Sequence, residues 1–260
     1  MVWENIYLRA QRDNFEEALQ NAKNFSVGLE IQTFTLPESY HCNVNKRLDK
    51  YITALRGFDA PISFHAPFID INIVSLDETI AAYSHKVFEF AIDAAQRLGA
   101  DKIIIHTGFN PQIAYEPYLT SFPQVYAEGL EFFADKATRK GIAIHIENIF
   151  ESTPQNNISI VEAMASSEVK LCLDVGHALL FTEIDLVEWL TLMGERLRYV
   201  HLHENDGVYD LHTPALGENA DVTALMQTMA KMDLPPAICL EIVDEPDVIE
   251  KAIEYVRSFE

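Results

Sequence analysis

Eight short runs of β-branched and other apolar residues recur along the chain and alternate with stretches of helical periodicity. The runs are Asn5–Leu8, Val27–Gln32, Ile62–His65, Lys102–His106, Ile142–Glu147, Val169–Asp174, Arg198–His203 and Ala237–Glu241. Apolar strands that alternate with helices are typical of a parallel sheet covered by helices. Because barrels of eight strand–helix units use about 250 residues, the 260 residues of this chain predict an α/β fold, a single-domain (β/α)8 TIM barrel spanning residues 1–260.

Glycine positions support the closed barrel against an open sheet. The longest helical stretch is predicted to begin near Asp77 and to end at Gly99, because glycine is a typical helix stop. A second helix is predicted over Tyr126–Lys140, before Gly141. An open doubly wound sheet would carry a glycine-rich phosphate turn after its first strand. The segment Arg9-Ala10-Gln11-Arg12 contains no glycine, so the open sheet is the weaker interpretation.

Charge and cysteine content restrict the classes of partner and the cellular compartment that the sequence predicts. The chain has 19 Lys and Arg against 40 Asp and Glu, a net charge of −21. This balance argues against a nucleic-acid partner and an anionic membrane surface, since both attract basic side chains. The three cysteines show no paired spacing, which predicts no disulfide framework and a reducing compartment. Without a signal peptide or a long apolar run, we expect a cytoplasmic protein that does not enter a membrane.

Histidines and carboxylates close or directly follow six consecutive predicted strands, where the catalytic residues of a barrel lie. Polar residues at the ends of apolar strands cost free energy unless they are paired or bind a metal. Imidazole and carboxylate together form a ligand set that suits Zn²⁺ or Mn²⁺. We therefore predict that one to three divalent ions are bound by His65, His106, Glu147, Asp174, His177, His201, Asp210, His212 and Glu241.

Seven short motifs surround these residues: His65-Ala66-Pro67-Phe68-Ile69-Asp70-Ile71-Asn72, His106-Thr107-Gly108, Glu147-Asn148, Leu173-Asp174-Val175-Gly176-His177, His201-Leu202-His203-Glu204-Asn205-Asp206, Asp210-Leu211-His212 and Leu240-Glu241. In order and in barrel position they resemble the xylose isomerase-like TIM-barrel superfamily. That superfamily joins sugar isomerases and epimerases to endonuclease IV, the apurinic-site nuclease of AP endonuclease family 2.

The resemblance implies two sets of metal ligands. Glu147, Asp174, His201 and Glu241 correspond to the metal site that the superfamily shares. The additional ligands that endonuclease IV uses for a trinuclear zinc cluster correspond to His65, His106, His177, Asp210 and His212.

The two branches of the superfamily predict different chemistry. Three divalent ions on the nine ligands would leave a site charge near +2, which attracts a phosphoester for hydrolysis by an activated hydroxide. One ion would leave about −2, which suits a neutral polyol or keto sugar. The net charge of −21 and the scarcity of arginine at strand ends favour the second branch. No predicted strand ends in lysine, which excludes a Schiff-base mechanism.

The sequence thus favours a metal-dependent isomerase or epimerase of a small sugar or sugar-derived polyol. The alternative is an endonuclease IV-like zinc phosphodiesterase with a trinuclear cluster. In the first case Glu147 and Glu241 act as general base and acid and pass a proton through an enediolate. The predicted substrate contacts are Arg9, Glu30, Phe68 and His203. Endonuclease IV has an aromatic that engages DNA at the place of Phe68, and packing at the barrel mouth explains this residue equally well.

Overall fold

Eight parallel strands form a closed barrel in the computed structural model, which describes residues 6–259. Each strand pairs with the next one along the chain, and the last pairs with the first. The strands are β1 (Ile6–Ala10), β2 (Gly28–Ile31), β3 (Ile62–His65), β4 (Lys102–His106), β5 (Ala143–Glu147), β6 (Val169–Asp174), β7 (Leu197–Leu202) and β8 (Ala237–Leu240). The predicted (β/α)8 barrel is confirmed.

Helices cover the outside of this barrel. They are α1 (Phe15–Phe25), α2 (Pro37–His41), α3 (Val44–Ala54), α4 (Glu78–Leu98), α5 (Glu116–Arg139), α6 (Gln155–Ala163), α7 (Val175–Phe181), α8 (Leu186–Met193), α9 (Ala220–Met229) and α10 (Pro246–Arg257), with a 3-10 turn at Gly194–Arg196. The side chain of Asp77 caps α4 by accepting from the backbone N–H of Thr79 and Ile80, and Gly99 ends it with φ of 80°. Both ends of this helix therefore lie where the sequence predicts them. Within residues 6–259, no helix is both long and apolar enough to cross a membrane.

Two apolar layers hold the fold together. The larger one contains the outward-facing strand residues, such as Ile103, Ile105 and Leu173, and the helix faces packed on them. The smaller one fills the barrel with Tyr7, Ile104, Cys172, Tyr199 and Cys239. Because alternate strand residues point to the same side, the residues two positions further along these strands point into the mouth of the barrel. The filled layer thus forms a floor beneath the mouth.

Two boundaries differ from the sequence prediction by more than one residue. β1 continues to Ala10, whereas it was predicted over Asn5–Leu8; Asn5 lies outside the described residues. Arg9 is consequently a strand residue and not part of the following loop. Helix α5 begins at Glu116, ten residues before the predicted start. Pro117 suits the first helical turn. Pro123 lies inside the helix and lacks an N–H donor, so the sequence predicts a helix only for the residues after Pro123.

Candidate metal centre

The structure gathers the nine predicted metal ligands at the C-terminal mouth of the barrel. Four of them are the last residues of neighbouring strands: His65 on β3, His106 on β4, Glu147 on β5 and Asp174 on β6. Strand pairing sets His106 beside Glu147 and Asp174 beside His201 of β7. The remaining four lie on the segments that follow β6, β7 and β8; they are His177, Asp210, His212 and Glu241.

The first group of ligands consists of His65, His106 and Glu147, and Glu147 links the two histidines. Its Oε2 lies 3.2 Å from Nε2 of His65 and 3.1 Å from Nε2 of His106. One ligand atom from each of these three residues lies within 4.8 Å of the others. A divalent ion could therefore be held by two imidazoles and one carboxylate at this point.

His201 is the centre of the second group. Its Nδ1 lies 3.1 Å from Oε2 of Glu241 and 3.3 Å from Oε1 of Glu147. The distance to Oδ2 of Asp174 is 3.5 Å. All four residues are buried, and their ligand atoms also fall within 4.8 Å of one another. Three carboxylates and one imidazole around a single point form a donor set for Zn²⁺ or Mn²⁺.

Asp210 connects the third group. Its Oδ2 lies 3.4 Å from Nε2 of His177 and 3.1 Å from Nε2 of His212. His177 also approaches Glu147, with 3.5 Å between Nδ1 and Oε1. The loop after β7 is held in place by an antiparallel bridge between Glu204 and Thr213. The third group is thus continuous with the first two.

Backbone carbonyls fix the ring orientation of three histidines. Nδ1 of His65 lies 2.9 Å from the carbonyl oxygen of Ala66, and Nδ1 of His177 lies 2.9 Å from that of Asn148. Nδ1 of His212 lies 2.9 Å from the carbonyl oxygen of Glu241. Because a carbonyl oxygen only accepts, Nδ1 carries a proton in each of the three rings, and Nε2 faces the carboxylates. A histidine that donates from one nitrogen and offers the other is the usual arrangement at metal sites.

Orphaned buried atoms indicate where an ion fits. Nδ1 of His201 and Oε2 of Glu241 are buried, and neither makes a hydrogen bond with the described residues. They lie 3.1 Å apart and share their surroundings with Asp174 and Glu147. Leaving polar atoms buried and unpaired is costly. A divalent ion between these two atoms would satisfy both, so the residues present fit a metal.

Interactions between neighbouring groups of opposite charge offset the cost of burying ionised side chains at this site. Burial opposes ionisation of Glu147, but the nearby His106 and His201 outweigh it and hold the pKa of Glu147 well below its usual value. At His106 burial dominates and lowers the pKa, which favours the neutral ring that a metal requires. At His177 burial is outweighed by the neighbouring carboxylates, chiefly Asp174, which raise the pKa to about 10. A metal ion that binds His177 must therefore displace a proton.

A cavity of about 440 Å³ opens onto these groups. Seven of the nine predicted ligands line it, whereas Asp174 and His201 are fully buried directly beneath. Arg9 and Phe68 also line it. The guanidinium of Arg9 contacts Glu241, with Nε 3.9 Å from Oε1, and the ring of Phe68 lies 4.4 Å from that of His106 between centroids. Both residues are thus placed where a bound molecule would meet them.

Glu30 and His203, the other two predicted substrate contacts, do not line the cavity as Arg9 and Phe68 do. Both side chains are fully buried. His203 lies behind Asp174, with Nε2 3.1 Å from each carboxylate oxygen, and its ring stacks on His212. Glu30 lies below His201. The structure therefore places both residues behind the groups that a substrate would touch.

Several residues at the mouth were given no role by the sequence analysis. Asn148 holds β6 in place: its Oδ1 accepts from the backbone N–H of Asp174, and its Nδ2 donates to the carbonyl of the same residue. Its position next to Glu147 was the signal that could have identified it. The cavity wall also includes Gln11, Thr35, Ile69, Asp70, Ile149 and Phe150. These residues lie in or beside loops, where strand periodicity gives no information.

Gly176 leaves room for the imidazole of His203. A Cβ at this position would overlap the His203 ring. We expect Gly176→Ala to push this ring away from Asp174 and to lower the free energy of unfolding by about 1–3 kcal/mol, measured by urea denaturation. Gly129→Ala on α5 is the comparison, since its Cβ would approach a single side-chain atom, Cγ1 of Val74, and no residue of the proposed metal centre. Equal urea midpoints for Gly176→Ala and the unmodified protein would contradict this role.

Comparison with known proteins finds a family model and a relative that match most of this chain. Residues 9–259 match the family model described as the xylose isomerase-like TIM barrel. The uncharacterised protein MJ1311 of Methanocaldococcus jannaschii is 25% identical over 218 residues, which cover 81% of this chain and 74% of that protein.

Two solved structures share the fold over almost the whole chain. The TTHB071 protein from Thermus thermophilus, in a crystal soaked with ZnCl2, superposes with a TM-score of 0.81 at 25% identity, covering 98% of this chain and 97% of that one. A D-tagatose 3-epimerase-like protein has a TM-score of 0.76 at 21% identity, with 97% and 96% covered. The second likeness is one of fold alone.

Proposed function

Because the chain belongs to the xylose isomerase-like TIM barrel family, we propose that it is a divalent-metal-dependent isomerase or epimerase of a small sugar. One observation carries the proposal: ligand atoms of Glu147, Asp174, His201 and Glu241 converge within 4.8 Å of one another. Two of these residues, Glu147 and Glu241, also line the cavity. The same carboxylates can therefore face a metal ion and a substrate.

The second group, centred on His201, would hold the metal. Zn²⁺ or Mn²⁺ bound there would polarise a carbonyl and the neighbouring hydroxyl of a sugar, which acidifies the carbon-bound proton between them. Gln32 orients one of the carboxylates, since its Nε2 donates to Oε1 of Glu241 at 2.7 Å. This hydrogen bond turns the other oxygen, Oε2, towards His201.

Glu147 and Glu241 would exchange the proton. One carboxylate takes the proton from the carbon next to the carbonyl, and the electron pair of that C–H bond forms the enediolate. The other residue, which must start as a carboxylic acid, gives its proton to the opposite face of the same carbon, which gives epimerisation. If it instead gives the proton to the adjacent carbon, and the hydroxyl proton moves to the former carbonyl oxygen, the result is isomerisation. Glu147 is the last residue of β5, and Glu241 directly follows β8. They therefore approach a molecule in the cavity from different sides.

The wall of the cavity suits a polyol of modest size. Arg9, Gln11 and Thr35 supply polar groups on the side of β1 and β2, whereas Phe68, Ile149 and Phe150 supply apolar surface elsewhere. Polar groups that fix orientation, combined with apolar surface, are typical of small-molecule sites. The substrate we propose is therefore a ketose or aldose rather than a polymer.

Hydrogen exchange tests the proposed chemistry on a panel of sugars. The carboxylate that carries the transferred proton exchanges it with water, so turnover in D2O should place deuterium on the reacting carbon. We expect incorporation, read by NMR, for at least one ketose or aldose incubated with the Mn²⁺- or Zn²⁺-loaded protein. The chelator-treated protein is the control. Metal-loaded protein that exchanges no carbon-bound hydrogen in any sugar of the panel would contradict the proposal.

The third group favours a second candidate function, the hydrolysis of a phosphoester. His177, Asp210 and His212 come together beside Glu147, so two or three ions could share the site and activate a hydroxide. Against it, Arg9 is the only lysine or arginine among the described residues that line the cavity. We expect no cleavage of an oligonucleotide with one abasic site at moderate salt, assayed by gel electrophoresis beside an intact oligonucleotide. Cleavage at the abasic site would reverse the order of the two proposals.

A further inference from the structure

Glu30 is a buried carboxylate that the proposed proton transfer does not use. It lies on β2 in the floor of the site and is fully buried. Two side chains other than histidine donate to it: Nε2 of Gln32 to Oε1 at 2.8 Å, and Oγ of Ser63 to Oε2 at 3.2 Å. Each carboxylate oxygen thus already accepts a hydrogen bond. A carboxylate held in this way is a fixed acceptor for any further donor that faces it.

The further donor is His201. Its Nε2 lies 3.1 Å from Oε1 and 3.3 Å from Oε2 of Glu30. Its other nitrogen, Nδ1, points the opposite way, towards Glu147, Asp174 and Glu241. The imidazole therefore separates two sets of carboxylates, one below it and one above.

We propose that Glu30 is a positioning residue that holds the His201 proton on Nε2 and so presents the bare Nδ1 to the metal. This inference rests on the metal binding in the proposed function. With the proton on Nδ1 instead, the lone pair of Nε2 would face the Glu30 carboxylate, and two acceptors would repel each other. The protonated Nδ1 could not bind a metal ion. Carboxylates that accept from a ligating histidine fix its tautomer and raise its basicity.

Gln32 links Glu30 to Glu241 through hydrogen bonds and so orients the Glu241 carboxylate as well. The two hydrogens of its amide nitrogen go to Oε1 of Glu30 and to Oε1 of Glu241, at 2.8 and 2.7 Å. One residue of β2 thus orients the ring of His201, and the residue two positions further orients the proposed catalytic carboxylate. Cys239 lies near enough to Glu30 and His201 to form a group of metal-ligand types. Because both oxygens of Glu30 are engaged, we assign Glu30 as an acceptor and not as a ligand in a second metal site.

The tautomer can be measured in the unmodified protein. In Zn²⁺-loaded protein labelled with ¹⁵N-histidine, we expect NMR to show a proton on Nε2 of His201 and none on Nδ1. A proton on Nδ1 would overturn the inference without any substitution.

Substitution gives a second readout, the affinity for Zn²⁺, measured by competition with a chromophoric chelator below the melting temperature of each variant. We expect Glu30→Leu, which removes the acceptor, to bind Zn²⁺ about 10–100-fold more weakly than the unmodified protein. Glu30→Gln retains an oxygen acceptor and should fall between the two. Ser63→Ala is the matched control: it removes one hydrogen bond to Glu30 but leaves the carboxylate that faces His201, with which Ser63 forms no hydrogen bond, so its affinity should stay within about twofold.

The outcomes separate the inference from the proposed function. Equal affinities of the unmodified protein and Glu30→Leu would overturn the positioning role alone. Equal losses in Glu30→Leu and Ser63→Ala would overturn it as well, since they would indicate a general effect on packing. If the unmodified protein binds neither Zn²⁺ nor Mn²⁺, the proposed function fails and the inference fails with it.

Discussion

Replacing Glu241 by glutamine is expected to lower kcat for sugar isomerisation or epimerisation by roughly 10²–10⁴-fold, the usual contribution of a general acid or base. The substitution keeps the size of the side chain but removes the group that accepts and returns a proton. Its amide has one oxygen, and the donor Gln32 faces the Oε1 position at 2.7 Å. We therefore expect the oxygen to occupy that position and the amide nitrogen to face His201, which weakens metal binding as well.

The measurement separates these two effects. Steady-state kinetics at increasing concentrations of Mn²⁺ or Zn²⁺ should restore occupancy but not kcat, and metal content is determined on the same samples. Glu151→Gln is the matched control, because Glu151 is also a buried glutamate near the mouth but accepts from the backbone N–H of Ile149 and forms no hydrogen bond or ion pair with the nine proposed ligands. Full kcat for Glu241→Gln at saturating metal would show that Glu241 does not transfer the proton.

The barrel and the convergence of the nine proposed ligands at one mouth were both predictable from the sequence for the same reason. A parallel barrel brings the C-terminal ends of its strands to one mouth, so a histidine or carboxylate at each end must converge with its neighbours. His106 and Glu147 show this directly, since strand pairing sets them side by side. Order along the chain therefore translates into proximity without any knowledge of the loops.

Depth within the barrel could not be predicted in this way. Strands in a barrel are tilted and staggered, so residues near the ends of two strands need not lie at the same height. Glu30 and His203 are near strand ends in the sequence, yet both are fully buried. Loop residues such as Ile149 and Phe150 line the cavity because of loop conformation, which has no periodic signal. The substrate-contacting wall is therefore the part of the site that the sequence describes least.

Removing the metal is expected to destabilise the protein. Glu147, Asp174 and Glu241 converge on His201 in a buried site, and a bound cation relieves the repulsion among the carboxylates. An ion that binds only the folded state stabilises it by about 2.7 kcal/mol at a free concentration of 100 Kd. For a chain of this size that corresponds to a rise in Tm of roughly 5–10 °C. Calorimetry of chelator-treated protein, with and without added Zn²⁺ or Mn²⁺, measures this increment, and an unchanged Tm would argue against a metal at this site.

Two matched aspartate substitutions then decide how many ions matter. Asp174→Asn alters the group around His201 and should abolish the increment in Tm. Asp210→Asn alters the third group, where the ion pairs of Asp210 shorter than 3.5 Å among the described residues are with His177 and His212. A single-ion isomerase or epimerase predicts that Asp210→Asn keeps the full increment and one ion per chain by elemental analysis. A trinuclear hydrolase predicts that the same variant loses an ion and part of the increment, so this one variant distinguishes the two proposed functions through stability and metal content, without requiring the substrate.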